Sequence, residues 1–272
     1  MQNELNIQVI QDAVKQAGDL FIGDFKKRPV PQDKSEFLAL LGEIEEKCLA
    51  SLKKSLSDCF PETPWLGEEF DRNEQKNPLS YAEYWLCDTM DGAIQYLQHI
   101  PGWTINLVLV RAGRPFFAVI YDPMQQEMFW AQEGAGAYLN SQLIKPSKKG
   151  DSAVMLAVFN HSSAPSEVSG LNQKTGNSVT ELLNHFDALR NYGPHGLQLA
   201  YVGAGRIDVF YQEGLDTYNW LPGILIAKEA GAEILTSDGR AWTWGEESLL
   251  ASSPGVAERI IKNKVNNPDL LI

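Results

Sequence analysis

The chain is 272 residues long, 44% hydrophobic and 21% charged, with a formal net charge of −12. That length can bury a full core as one large domain or two packed halves, while the acidic balance argues against nucleic acid as a main partner, because phosphate backbones select basic surfaces. No stretch approaches the roughly 18 apolar residues of a membrane span. The first residues lack the basic and apolar regions of a secretion signal, and Cys48, Cys59 and Cys87 show no metal-ligand spacing, so reduced thiols in a cytoplasm are expected.

Taken in order, residues 5–27 have helical spacing (Ile7, Ile10, Val14, Phe21), and so do residues 35–59, with Leu38, Leu41, Ile44, Cys48, Leu52 and Leu56 on one face. Two short apolar runs follow, Pro64-Trp65-Leu66 and Tyr84-Trp85-Leu86-Cys87, each ending in acid as the C-terminal end of a buried strand does. The run from Trp103 to Ala131 reads as an antiparallel meander, with turns at Arg111–Arg114 and Asp122-Pro123. Ser147–Asp151 reads as a connection between two halves, 1–148 and 149–272. Beyond it, Val154–Phe159 reads as a strand and 162–178 as a loop. A helix over 179–186, a helix over 195–204, strand Ile207–Tyr211 and a helix over 219–231 follow. Strands near 233–235 and 249–251 and a closing helix over 254–264 complete the pattern. Such alternation without a Gly-rich dinucleotide loop gives an α/β class of mixed, layered architecture.

The chemistry concentrates in Glu68-Glu69 and, some twenty residues later, Asp88-Thr89-Met90-Asp91-Gly92-Ala93. Carboxylates brought to one point repel unless a cation sits between them, and Mg²⁺ is a hard cation suited to oxygen ligands and substrate phosphate. The N–H groups of Gly92 and Ala93, opening a helix, would face the same point and could hold phosphate oxygens. Metal-binding carboxylates beside such a cradle suggest metal-assisted phosphate-ester hydrolysis. The bland alternative is a solvated acidic surface, since Glu-Glu pairs and Asp-x-x-Asp turns are common.

Gly67-Glu68-Glu69, Trp85-x-x-Asp88-x-x-Asp91-Gly92, Tyr121-Asp122-Pro123, Gly134-Ala-Gly136, Gly205-Arg206-Ile-Asp208 and Glu229-Ala-Gly231, in this order, resemble the inositol monophosphatase family of Mg²⁺-dependent, lithium-sensitive phosphatases. The resemblance implies an α-β-α-β-α sandwich, commonly a homodimer. It also implies a reaction in which metals activate a water for in-line attack on the phosphorus of a small phosphorylated metabolite. It carries metal-ligand roles onto Glu68, Asp88, the Met90 carbonyl, Asp91 and position 219, and phosphate contacts onto Gly92 and Ala93. Glu69 is carried as a support for Glu68 or a metal-bound water, and Glu45 as the partner acid of the water-positioning group.

Several positions depart from the family pattern. The second catalytic segment, normally Trp-Asp, reads Tyr218-Asn219, so the ligand there is an uncharged amide. The family's water-positioning Thr is Ala93, its substrate-reading acid is Gln212, and its small pocket turn is Gly193-Pro194-His195-Gly196. His195 could contact substrate or could simply be a solvated or capping histidine. Asp216 could replace the missing acid only if the turn after Gly214 departed from the family's, and equal loop lengths argue against that. Two readings stay open, a phosphatase of retained or shifted specificity and a degenerate homologue that binds a phosphorylated ligand or a protein partner.

Overall fold

The structure, a computed structural model, describes residues 5–66, 74–161 and 169–266. Two helices open the chain, α1 (Ile7–Ile22) and α2 (Lys34–Leu56). Asp33 caps α2 by accepting the Glu36 N–H, and the Glu36 carboxylate reaches back to the Gln32 N–H. Orphan donors of the first turn are thus satisfied from both sides.

A seven-stranded sheet follows, in simple sequence order: β1 (Trp65–Leu66), β2 (Glu83–Asp91), β3 (Thr104–Arg111), β4 (Arg114–Asp122), β5 (Glu127–Gln132), β6 (Ala137–Leu139) and β7 (Gln142–Leu143). The meander is antiparallel, and only β1 lies parallel to β2. The short helix α3 (Ala93–Leu97) leaves the end of β2.

The second sheet has five strands in the order β11-β12-β10-β8-β9, where β8 is Leu156–Asn160, β9 Ala188–Arg190, β10 Val209–Glu213, β11 Glu233–Leu235 and β12 Ser248–Ser252. Its helices are α4 (Leu171–His185), α5 (His195–Gly203), α6 (Thr217–Ala230) and α7 (Ala257–Asn266). Helix α4 starts at Leu171, inside the stretch expected to be loop. Its polar run Asn172–Asn177 hides the periodicity, because the helix buries only Leu171, Ser178, Glu181 and Leu182.

Four apolar clusters define the layers. Helices α1 and α2 cover one face of the first sheet through Ile10, Val14, Cys48 and Leu52 against Cys87, Leu107 and Val119. On its other face, Leu86, Val108 and Ile120 meet Leu197, Leu221 and Leu225 of α5 and α6. The same two helices present Leu199, Trp220 and Ile224 to Val158, Phe210 and Leu249 of the second sheet. Helices α4 and α7 close its far side through Leu182 and Ile260. The order is α-β-α-β-α, with α5 and α6 in the shared middle layer.

Two motifs noted in the sequence build this frame. Both oxygens of Glu229 accept N–H groups from the turn after β5, from Gly134 and Gly136, each at 3.0 Å. Asp208, fully buried, gathers Lys149 Nζ and the Leu156 N–H at 2.8 Å together with the Ser147 hydroxyl. The connection between the sheets is fixed there.

Candidate functional site

Strand alternation alone would not bring Asp88 and Asp91 together. Three positions apart on an even strand, they would face opposite ways. The register of β2 against β3 slips between them: Asp88 pairs with Asn106, but Asp91 pairs with Thr104. The extra residue inverts the remainder of the strand. Leu86 faces the middle layer and Cys87 the outer one, yet Met90 packs with Cys87 on the outer side. Asp91 is therefore turned to the face that carries Asp88, towards α5 and α6.

Asn106 sits between them. Opposed to Asp88 in the ladder, it donates Nδ2 to Asp91 Oδ2 at 2.9 Å, while its Oδ1 accepts from the Thr104 hydroxyl at 2.8 Å. Asp91 also takes two donors from across the cleft, Gly196 N–H to Oδ2 at 2.9 Å and His195 N–H to Oδ1 at 3.3 Å. The N-cap position of α5 is Pro194, which offers no side-chain acceptor. Asp91, from the other sheet, caps the helix in its place. Burial pushes the Asp91 carboxyl above its ordinary range, against the opposing pull of the His195 charge, the Gly196 N–H and Asn106.

Glycine is required at two of these contacts. A Cβ at Gly196 would lie 2.7 Å from Asn106 Nδ2 and 3.2 Å from Asp91 Oδ2. Gly92 has φ 91° and closes against the carbonyl of Gly102, 2.9 Å from where a Cβ would stand.

Asp216, at the N-cap position of α6, is the second centre. Its Oδ2 accepts from His195 Nδ1 at 3.0 Å and Gln212 Nε2 at 2.9 Å, and its Oδ1 accepts from Asn219 Nδ2 at 2.8 Å. Gln212 Oε1 in turn accepts from Trp220 Nε1 at 3.0 Å. Burial would raise the Asp216 carboxyl, but the bond and charge of His195, with Gln212 and Asn219, bring it below its ordinary value. For His195, burial favours the neutral ring, and the Asp216 bond and the charges of Asp216 and Asp91 overcome it, so its pKa is raised.

These contacts place the expected residues as follows. Asp88, Asp91, His195, Gly196 and Asn219 belong to one connected assembly, with Gly92 and Ala93 at the start of α3 beside Pro194. Gln212 is 0% exposed with both ends of its amide bonded inside the protein, so it braces Asp216 rather than facing the cleft. Asp216 enters the site despite the equal loop lengths: the inward turn is local, at the helix N-cap. Because Asn219 gives Nδ2 to Asp216, its Oδ1 is left for another partner. Glu45 lies on α2 in the outer layer. Burial raises its carboxyl, and no described contact joins it to Asp91. Glu68 and Glu69 lie outside the described residues.

Sequence reasoning missed Thr104 and Asn106. The signal was present, since an Asn inside the apolar run Ile105–Val110 is expensive to bury unless bonded on both sides.

A family profile described as the inositol monophosphatase family matches residues 2–268. Among curated proteins, the chain is 28% identical over 237 residues to the Nus factor SuhB of Xylella fastidiosa, covering 86% of this chain and 82% of that one. It is 26% identical over 255 residues to inositol monophosphatase 1 of Solanum lycopersicum, covering 93% and 92%. The solved structure of an inositol monophosphatase from Anabaena superposes with a TM-score of 0.76 at 21% identity, covering 95% of this chain and 94% of the other.

Proposed function

This chain belongs to the inositol monophosphatase family, and from that premise we propose that it is a Mg²⁺-dependent phosphomonoesterase acting on a small phosphorylated metabolite. The observation that carries the reading is the slipped register of β2, which turns Asp88 and Asp91 to one face, towards α5 and α6. Gathered carboxylates lower stability unless something compensates them, and a cation would do so for this pair.

The donors fit a hard cation. The Asp88 and Asp91 carboxylates, the Met90 carbonyl and the Asn219 Oδ1 are all oxygen, and Asp91, which accepts three bonds, keeps one lone pair on Oδ1. These groups would hold Mg²⁺ together with Glu68, which lies outside the described residues. Such an ion supplies Lewis-acid charge at phosphate oxygens and a water of lowered pKa. The protein's own part is preorganisation. Asn106 and the start of α5 fix Asp91, Asp216 holds the Asn219 amide by its Nδ2, and the Gly92 and Ala93 N–H groups are offered to phosphate. Ala93 brings no hydroxyl to position water, so a rate below that of a Thr-bearing site is expected, since such a group is worth about 10²–10⁴-fold.

The test is phosphate release from inositol, sugar, histidinol and nucleotide monophosphates over a range of Mg²⁺, with Glu68→Gln as control. Turnover above the control, raised further by the Asn219→Asp/Ala93→Thr double variant, is the expected result. Equal rates in wild type and control would sink it. They would favour the second reading, a family member that holds a phosphorylated ligand or a protein partner without turnover. One observation supports that alternative: Asp91 has a structural role as the cap of α5 whether or not an ion binds. A cytoplasmic homodimer belongs to the same proposal, checked by light scattering on the eluted protein.

A further inference from the structure

We propose that His195 is a substrate-contacting residue whose Nε2 bonds a hydroxyl of the esterified alcohol, and that Asp216 is its positioning residue. The inference rests on the phosphatase reading and assigns a part of it that the acids do not supply. His195 opens α5 with its N–H on Asp91, so its ring stands beside the carboxylate assigned to the reaction centre.

The ring leans on Asp216 through Nδ1. A carboxylate accepts only, so Nδ1 carries the hydrogen and Nε2 is the ring's other polar atom. Among the described residues no group bonds Nε2, and the side chain keeps 22% of its surface exposed. Gln212 and Asn219 also donate to Asp216, one to each oxygen, so the ring is one of three donors that hold it. The same bond to Asp216 fixes the rotation of the ring. Gln212, the alternative reader, is sealed behind it.

A hydroxyl is the partner that suits Nε2 in every state of the ring, because it donates to the neutral form and accepts from the charged one. The contact therefore requires no particular protonation. An ester whose alcohol carries a hydroxyl near the phosphate gains this bond, and a plain alkyl ester does not.

Glycerol 1-phosphate and propyl phosphate, equal in carbon count, separate the cases. His195→Ala is expected to raise KM for the glycerol ester about tenfold more than for the propyl ester, the worth of one good hydrogen bond. His195→Gln, whose amide nitrogen reaches the Nε2 position, should recover much of that difference. His195→Asn, which restores only the Asp216 bond, should not. Equal losses on both esters, or recovery by Asn as full as by Gln, would show a merely structural histidine and overturn the proposal. If wild type hydrolyses neither ester above Glu68→Gln, the phosphatase reading fails, and imidazole ¹⁵N spectra with Mg²⁺ and each ester decide the contact independently. A His195 Nε2 shift with the glycerol ester alone supports it; no shift, or the same shift with both, overturns it.

Discussion

Replacing Asp91 with Asn separates two things the carboxylate does. At Oδ2 it accepts two bonds of 2.9 Å, from Asn106 and Gly196, and at Oδ1 a single longer bond of 3.3 Å from His195. An Asn would keep its one oxygen where two donors converge, and its Nδ2 would then face the His195 N–H, donor against donor. Losing that bond and stranding a buried donor costs about 1–3 kcal/mol. Part is returned because burial already disfavours the charge of Asp91, so a net loss of about 1–2 kcal/mol follows. For a chain of this size that is a fall in Tm of roughly 2–8 °C. The assay is thermal unfolding in EDTA and again in excess Mg²⁺. Wild type should gain about 2.7 kcal/mol at a hundredfold excess of ion over Kd, and the variant should gain little. A variant as stable as wild type in EDTA refutes the capping argument. A variant that keeps the Mg²⁺ gain refutes the ligand assignment.

Gly223→Ala would put a Cβ 2.4 Å from Leu199 Cβ and 2.8 Å from the Gly196 carbonyl, between α5 and α6; a loss of about 1–3 kcal/mol in urea unfolding is expected. Gly42→Ala, in the middle of α2 with open space around it, should instead stabilise by about 0.5–1 kcal/mol. Glu229→Ala removes both acceptors of the Gly134 and Gly136 N–H groups, and faster amide exchange at those two residues is the expected readout. The Thr236 hydroxyl and Arg240 hold the Asp238 carboxyl down to about 2 from its ordinary 3.8. A depressed carboxylate stabilises above its unfolded value, and the effect fades as pH falls through the folded one. Asp238→Asn should therefore lower stability near neutral pH, by less than about 1 kcal/mol for so exposed a group, and match wild type below pH 2.

Much of the frame was legible because its signals are local. The meander announced itself through alternating apolar residues and turns, and α1 and α2 through their spacing. Helix α4 was not legible over 171–178 because its stability comes from docking four side chains, only two of them within that stretch, not from its own pattern. The motif around Asp88 and Asp91 stood out in the sequence, but the reason both acids face one way is a register slip, which only the pairing with β3 reveals. Asp216 was discounted because loop length fixes where a chain can reach, not which way a helix's first residue turns. The amides Asn106 and Gln212 act through contacts 15 and 4 residues away, and only the first, in an apolar strand, left a mark in the sequence.

The middle position of α5 and α6 limits how the cleft can work. Each sheet uses that helix pair as its floor, so swinging the sheets apart would tear both interiors at once. Under the phosphatase reading, a substrate is therefore expected to come and go without sheet separation, with adjustment in side chains and rim segments. The radius of gyration in scattering should accordingly be the same with and without a bound phosphate ester, however tightly the ester is held.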